Sequence, residues 1–157
     1  MKNNNFTNLQ LFSLVALRWL IAWHFLYEGL IKIGNPAWTA RNYLASAEWL
    51  FSGFFRSVAL NDTLMQVVDF MNIWGLVLIG VGLFLGFMSK YASYAGILLL
   101  LLYYIAHPPL FGNDLVPLEG SYIIVNKNLI EAAALAVVAL FPTSHIIGLE
   151  RLIRKIK

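Results

Sequence analysis

The chain has 157 residues, of which 60% are hydrophobic and only 12% are charged. A soluble domain of this length could not bury so many apolar side chains, so the lipid bilayer is the expected environment. The absence of cysteine excludes disulfides, iron–sulfur ligation and zinc thiolate sites, and a net charge of only +3 argues against nucleic acid as a partner.

Four apolar stretches approach the roughly 20 residues that a helix needs to cross about 30 Å of hydrocarbon. They cover residues 11–34, 71–88, 91–107 and 122–141. Only Ser89 and Lys90 separate the second stretch from the third, which predicts a tight antiparallel turn. Pro108 and Pro142 end the last two helices, because proline cannot continue the helical backbone ladder. We therefore predict an all-α fold, an integral-membrane antiparallel bundle of four helices in one domain over residues 1–157.

The first loop, residues 35–70, is predicted to carry one or two amphipathic helices. Pro36 is the expected first helical residue, and Gly53 is the expected break. A polar stripe repeats every four residues through Glu48, Ser52 and Arg56. Trp38 and Trp49 suit the headgroup depth, so these helices are expected to cover the outer mouth of the bundle. An interfacial anchor without a functional part is the alternative.

Lysine and arginine accumulate near the C-terminus, which predicts that both termini are cytoplasmic. The expected location is the inner (cytoplasmic) membrane. The tail over residues 142–157 carries Arg151, Arg154, Lys155 and Lys157. The loop between the third and fourth spans has Asp114 and Glu119 and no basic residue. Arg41 and Arg56 in the first loop run against this rule, but an even number of spans still places both ends on one face.

One face of the first span carries an ionisable stripe. Arg18, His24, Glu28 and Lys32 fall within about 120° of arc, since a helix advances about 100° per residue. A charged group near the bilayer centre costs about 2.5–3.5 kcal/mol on insertion scales, whereas each large aliphatic residue returns only about 0.3–0.6 kcal/mol. The stripe is therefore expected to face the bundle interior or a wet cavity, where it has polar partners.

The fourth span supplies such partners. Lys127 and Glu131 lie one turn apart, as do Glu28 and Lys32, and Asn128 adds an amide that can donate and accept. A salt-bridge network that fixes helix register is one interpretation. A binding site for a polar ligand is the other, and we favour it because four ionisable groups near one depth exceed what register requires.

Two further polar residues flank this group. His107 ends the third span, and Asn72 begins the second, on the same predicted outer side. His24 taken alone is more typical of a hydrogen-bonded core histidine. Arg18 lies deeper than the others, and we assign it to structural pairing or to holding an anion.

Metal cofactors have weak support in the sequence. Haem is not expected, because His24, His107 and His145 lie at three different depths and a bis-histidine site needs two facing nitrogens at one level. A metal site of His24 or His107 with Glu28 and Glu131 is geometrically conceivable but lacks a spacing signature, so none is predicted.

As a set, these residues resemble the DoxX/DoxD family of bacterial and archaeal membrane proteins. The resemblance is carried by LRW at residues 17–19, HFLYEGLIK at 24–32, WGLVLIG at 74–80 with Gly82 and Gly86, and NKNLIE at 126–131. The stretch PAWT at residues 36–39 is similar to the DoxD type, the membrane subunit of thiosulfate:quinone oxidoreductase.

This resemblance implies a four-helix membrane subunit linked to the quinone pool, working with a second oxidoreductase subunit and leaving homo-oligomerisation open. A non-covalent quinone is the implied cofactor. We hypothesise that Lys32, Lys127 or His107 donates a hydrogen bond to a quinone oxygen and that Glu28 or Glu131 relays protons. The other candidate cofactor-binding residues are His24, Asn128, Arg18, Trp38 and Asn72.

Two other classes of function compete with this enzyme. A carrier or binding protein for a small anion, such as a sulfur oxyanion, would use the cationic groups Arg18, Lys32 and Lys127. A non-catalytic membrane scaffold for a soluble partner would use the basic tail and the covering loop.

Overall fold

A computed structural model describes residues 6–109 and 121–155, and within them the chain is mostly helical. In chain order the helices are α1 (Asn8–Gly34), α2 (Arg41–Ala45), α3 (Ser52–Ala59), α4 (Asp62–Leu85), α5 (Ser89–Ala106), α6 (Lys127–Leu140) and α7 (Leu149–Lys155). Strands β1 (Ser121–Tyr122) and β2 (Val125–Asn126) form a minimal antiparallel pair before α6. The predicted acidic loop residues Asp114 and Glu119, and Lys157 of the predicted basic tail, lie outside the described residues.

Local capping sets where the long helices begin and end. Thr7 and Gln10 form a capping box at the start of α1, each side chain bonding the other residue's backbone N–H. The side chains of Asn61 and Asn126 accept from backbone N–H groups in the first turns of α4 and α6. Gly86 ends α4 in the left-handed conformation, with φ of 63°, which suits a residue without Cβ.

Three helices in the described part of the chain, α1, α4 and α5, are long and apolar enough to cross a membrane. Length and composition thus make the chain a multi-pass membrane protein, in agreement with the sequence-based prediction.

The predicted fourth span, residues 122–141, is not one continuous helix. Its first residues belong to the β1–β2 turn, where Ile123 and Ile124 have φ of 38° and 37°, and Asn126 delays the helix to Lys127. Helix α6 therefore has 14 residues, which is about 21 Å at 1.5 Å per residue and is short for a complete crossing. The bundle of four full-length spans stays a prediction.

The first loop does contain two short helices, but their boundaries differ from those predicted. Pro36 does not begin a helix, because the Asn35 side chain accepts from the Ala37 N–H in a tight turn that follows α1. The break between α2 and α3 falls at residues 46–51, whereas Gly53 lies inside α3. Helix α4 starts well before residue 71, at the Asn61 cap.

The bundle is organised as two helix pairs, with α1 packed along α4 and α6 along α5. Gly80 of α4 lies directly against the α1 backbone, since a Cβ there would be 2.8 Å from the Leu26 nitrogen and 3.0 Å from the Ala22 oxygen. A Cβ on Gly96 of α5 would be 2.7 Å from Leu135 Cδ1 of α6. Such small residues let membrane helices approach closely. Between the pairs lies an apolar core that includes Ile21, Phe25, Leu76, Ile79, Leu83, Leu100 and Val138.

Gly80→Ala should destabilise the α1–α4 pair. The added methyl collides with backbone atoms of α1 and costs about 1–3 kcal/mol of overpacking, which outweighs the gain of up to about 1 kcal/mol in helix propensity. Thermal unfolding in detergent measures the difference. Gly75→Ala in the same helix is the matched control, because a Cβ there meets nothing within 4 Å. Equal stability of the two variants would contradict this packing.

Candidate functional site

A cavity of about 310 Å³ lies where the C-terminal turns of α1 meet the middle of α4, the end of α5 and the start of α6. We call this region the cavity end of the bundle. The apolar lining is formed by Phe25, Leu76 and Leu100, and the aromatic lining by Trp38, Tyr43 and Tyr103. Most of the sequence-predicted site residues share the polar lining, which contains His24, Glu28, Lys32, Asn72, Lys127 and Asn128. The tertiary structure thus brings three residues of the stripe, His24, Glu28 and Lys32, together with the polar start of α6.

On the α1 side of the cavity, Glu28 and Lys32 form an ion pair. The Nζ atom of Lys32 lies 2.7 Å from Glu28 Oε2, at the spacing of one helical turn. The same ammonium group lies 5.3 Å from the centroid of the Trp38 ring, within range of a cation–π contact. Lys32 is therefore held between a carboxylate and an aromatic face, which reduces the cost of placing its charge at membrane depth.

A second polar pair joins α1 to α6. The Nδ1 atom of His24 lies 2.7 Å from Glu131 Oε1, and the Glu131 side chain is 13% exposed. Lys127 lies one turn before Glu131 but does not pair with it, and among the described residues no carboxylate lies within 4.0 Å of its Nζ atom. Lys127 is exposed at the first residue of α6, so its charge is available to the cavity.

On the opposite wall, the amide of Asn72 is held by a tyrosine. The Asn72 Nδ2 group donates to the Tyr103 hydroxyl at 2.7 Å, while Asn72 Oδ1 is buried and has no hydrogen-bond partner in the described part of the structure. An unsatisfied buried acceptor costs about 1–3 kcal/mol, so this amide is a natural contact for a donor on a ligand.

The segment before and within α2 closes one side of the cavity. Trp38, Thr39, Ala40 and Tyr43 line it. The segment is tied to the bundle because the Ala40 N–H donates to Asp69 Oδ1 at 2.8 Å and Arg41 pairs with Asp62 at 2.5 Å. These contacts attach the covering loop to the first turns of α4.

His107 lies behind this cover and does not line the cavity. Its Nε2 atom is 2.7 Å from the Tyr43 carbonyl oxygen, and its ring centroid is 4.3 Å from that of Tyr43. The Tyr43 hydroxyl in turn donates to the Tyr103 carbonyl at 2.9 Å. His107 thus supports Tyr43 and does not reach the cavity, although the sequence predicted it as a ligand contact.

Arg18 lies at the opposite end of the bundle from the cavity. Its guanidinium donates to Thr143 Oγ1 at 2.9 Å and to the Ile147 carbonyl at 2.7 Å, and the residue is only 1% exposed. Nearby, Glu150 accepts from the Ser144 hydroxyl at 2.6 Å and from the Ser89 N–H at 3.2 Å. This geometry agrees with the structural pairing considered for Arg18 and removes it from the cavity site.

Two tyrosines were not assigned to the site from sequence. They are Tyr43 and Tyr103, which both line the cavity. The sequence holds one indication that Tyr103 belongs to the site. Tyr103 lies one turn before His107, and so at the depth predicted for the polar groups. Tyr104, by contrast, donates to the Ile124 carbonyl and does not line the cavity.

Metal binding finds no geometric support in residues 6–109 and 121–155. Within those ranges no group of three or more histidine, aspartate or glutamate side chains is arranged to hold an ion. In the alternative metal site, Glu131 is hydrogen-bonded to His24, whereas Glu28 is paired with Lys32.

The DoxX family model matches residues 13–108, which is more than half of the chain. The match runs from α1 to the end of α5 and so includes the stripe of α1, the cover of the cavity and the Asn72–Tyr103 pair. Searches of curated proteins and of solved structures found no match to the chain.

Ionisation of Tyr43 provides a pH test of the cover. Burial raises the pKa of the Tyr43 phenol from 10.0 to about 12, and the neighbouring Tyr103 adds to this shift. A pKa that is raised in the folded state stabilises the protein below pH 10 and loses that contribution as the pH rises toward 12. The phenolate absorbance of wild type minus that of Tyr43→Phe should therefore show a transition near pH 12. A transition near pH 10 would contradict the buried position.

Loss of the Arg18 guanidinium should release the segment after α6. Arg18→Met leaves the buried Thr143 hydroxyl and the Ile147 carbonyl without their donor, at a cost of about 1–3 kcal/mol. Faster hydrogen exchange and proteolysis in residues 141–155 measure this release. Lys90→Met, which removes an exposed cation from the same end, is the control. Unchanged exchange in the Arg18 variant would contradict the assignment.

Proposed function

The chain belongs to the DoxX family, and from that premise we propose that it is the membrane subunit of a quinone-linked oxidoreductase whose quinone ring binds in the cavity at the end of α1. The observation that carries the proposal is the combination of an apolar and aromatic lining with convergent ionisable groups in one cavity of about 310 Å³. Ligand pockets of this kind typically have volumes of about 300–1,000 Å³ and a few oriented polar groups.

The residues of the cavity fit the two ends of a quinone ring. Lys127 and Asn128 offer donors at the start of α6, and Lys32 offers a third from α1. On the other wall the Tyr103 hydroxyl accepts from Asn72 Nδ2 and can donate its own proton to the second quinone oxygen, while Asn72 Oδ1, which has no partner in the described residues, can accept from an O–H of the reduced ring. Phe25, Leu76 and Leu100 supply apolar contact for the ring. When bound, a quinone accepts two electrons and two protons.

Proton handling in this proposal falls to the two carboxylates. Glu131 shares a short contact with His24 Nδ1, so a proton can be held on either atom. Glu28 borders the cavity, and its side chain is 44% exposed, which allows exchange with water while Lys32 balances its charge. Neither carboxylate is isolated, which limits the cost of ionisation at membrane depth.

The proposal includes the role of a DoxD-type subunit for this chain. The electron donor is then thiosulfate or a related sulfur compound, handled by a second subunit, since this chain has no cysteine for a redox relay of its own. In the same proposal both termini face the cytoplasm across the inner membrane. The fourth crossing is then completed by α6 together with the non-helical residues after it, where Arg18 donates to the Ile147 carbonyl.

A small-anion binding protein is the second candidate, favoured by one observation. Lys127 lines the cavity and is not neutralised by a carboxylate in the described residues. Of the three cations on which this hypothesis drew, however, Lys32 is paired with Glu28 and Arg18 lies at the other end of the bundle. Uptake of thiosulfate into proteoliposomes without reduction of an added quinone would favour this candidate over the enzyme.

Lys127→Met should lower the amount of quinone that co-purifies with the protein. Loss of a hydrogen bond from a charged donor costs about 1.5–3 kcal/mol, or roughly a tenfold or greater loss of affinity. Quinone extracted from equal amounts of folded protein measures the effect, and Lys90→Met serves again as the control. Unchanged quinone content and unchanged quinone turnover in Lys127→Met would contradict the proposal.

A further inference from the structure

The His24–Glu131 contact stands at the boundary between the cavity and the outside of the bundle. His24 lines the cavity, yet its side chain is 42% exposed, and its partner Glu131 belongs to the neighbouring helix α6. The pair therefore bridges the seam between α1 and α6 at the level of the cavity. Among the described residues, the His24–Glu131 pair is the polar side-chain contact between α1 and α6 at the cavity end.

Packing around the bundle is weakest along this seam. Helix α1 is fitted closely to α4 through Gly80, and α6 is fitted to α5 through Gly96. Far fewer residues of α1 and α6 meet each other. At the other end of the seam Arg18 binds Thr143, just beyond α6. The seam is thus pinned at one end by a buried arginine and closed at the cavity end by one histidine and one glutamate.

The outer surface beside the seam is apolar. On α1 the residues that neighbour His24 in helical projection, on the side away from α4, are Leu20, Tyr27 and Ile31, which are 71%, 52% and 52% exposed. On α6, Ile130 next to Glu131 is 58% exposed. In a membrane protein such exposed apolar side chains face lipid. A hydrocarbon chain could therefore lie against this surface while a ring occupied the cavity.

We propose that the α1–α6 seam is the lateral entrance through which a ring-bearing ligand with an apolar tail passes from the lipid into the cavity, and that the His24–Glu131 pair is the clasp that closes it. This inference rests on the proposed function, because it concerns access to the same cavity. A tailed ligand needs such a route, since the cavity holds about 310 Å³ and a long hydrocarbon tail must remain outside.

When the clasp opens, the His24 side chain stays close to other charged groups of the cavity. Electrostatic interactions reach His24 from Glu28 and Lys127 as well as from Glu131. When α1 and α6 move apart, His24 still faces these groups in the cavity, so the separated partners are not stranded in hydrocarbon. A seam closed only by aliphatic side chains would have no polar contact to re-form after the ligand has entered.

The test links the seam reversibly. The natural chain has no cysteine, so His24→Cys/Glu131→Cys introduces one pair of thiols, which a short cleavable bismaleimide joins. Binding is measured as quinone retained per protein after brief incubation, for a benzoquinone with a decyl tail and for the same ring without a tail. We expect the linked protein to lose most of its binding of the tailed quinone and to recover it when the linker is cleaved. The tailless ring should bind the linked protein as well as it binds the same variant after cleavage, because it can enter through the polar side where Lys127 is exposed.

The control links a different seam. Trp19→Cys/Phe84→Cys joins α1 to α4, where the two rings stack with their centroids 6.0 Å apart, and it leaves the α1–α6 seam free. Its linked form should bind the tailed quinone like wild type. Equal binding of the tailed quinone by the linked and cleaved forms of the seam variant would overturn the entrance while leaving the proposed function intact. Failure of wild type to bind either quinone would overturn the proposed function, and the entrance with it.

Discussion

Charge buried at membrane depth is the constraint on which the rest of this structure depends. An unpaired ion in hydrocarbon costs several kcal/mol, and the first helix carries a stripe of four ionisable groups. The structure resolves this by giving each group a polar neighbour. Glu28 and Lys32 pair with each other, His24 pairs with Glu131 of α6, and Arg18 binds the segment after α6. These contacts orient α1 and connect it to α6.

The two ends of the bundle use this constraint in different ways. At one end Arg18 is completely enclosed, and its two terminal nitrogens donate to a hydroxyl and to a backbone carbonyl where the chain has left the helix, although its Nε has no partner in the described residues. That arrangement fixes structure. At the other end the charged groups border a cavity, Lys127 remains exposed, and the buried Asn72 oxygen has no partner in the described residues. An incompletely satisfied polar site beside apolar walls is an arrangement that a ligand can complete.

Membership of the DoxX family covers only part of this site. The matched region, residues 13–108, contributes the stripe of α1, the aromatic cover and the Asn72–Tyr103 pair. Helix α6 lies beyond it and contributes Lys127 and Asn128 to the cavity lining and Glu131 to the clasp. The cavity is therefore assembled from the family region and from the helix that follows it. In the proposed function and the proposed entrance, ligand choice and access would depend on this junction, because Lys127 and the α1–α6 seam both belong to it.

The sequence by itself determined the membrane environment, the mostly helical fold and the shared face of His24, Glu28 and Lys32. Hydropathy and helical period suffice for these because they are local properties of the chain. The sequence also predicted that Lys127 and Asn128 would meet that face, because charges excluded from lipid must converge. Only the tertiary structure decided that Glu131 pairs with His24, that His107 stands behind Tyr43 and that Tyr103 holds Asn72. These contacts depend on the rotation of each helix and on the path of the first loop. Both are set by close packing between elements distant in sequence, such as Gly80 against Leu26, which no local pattern encodes.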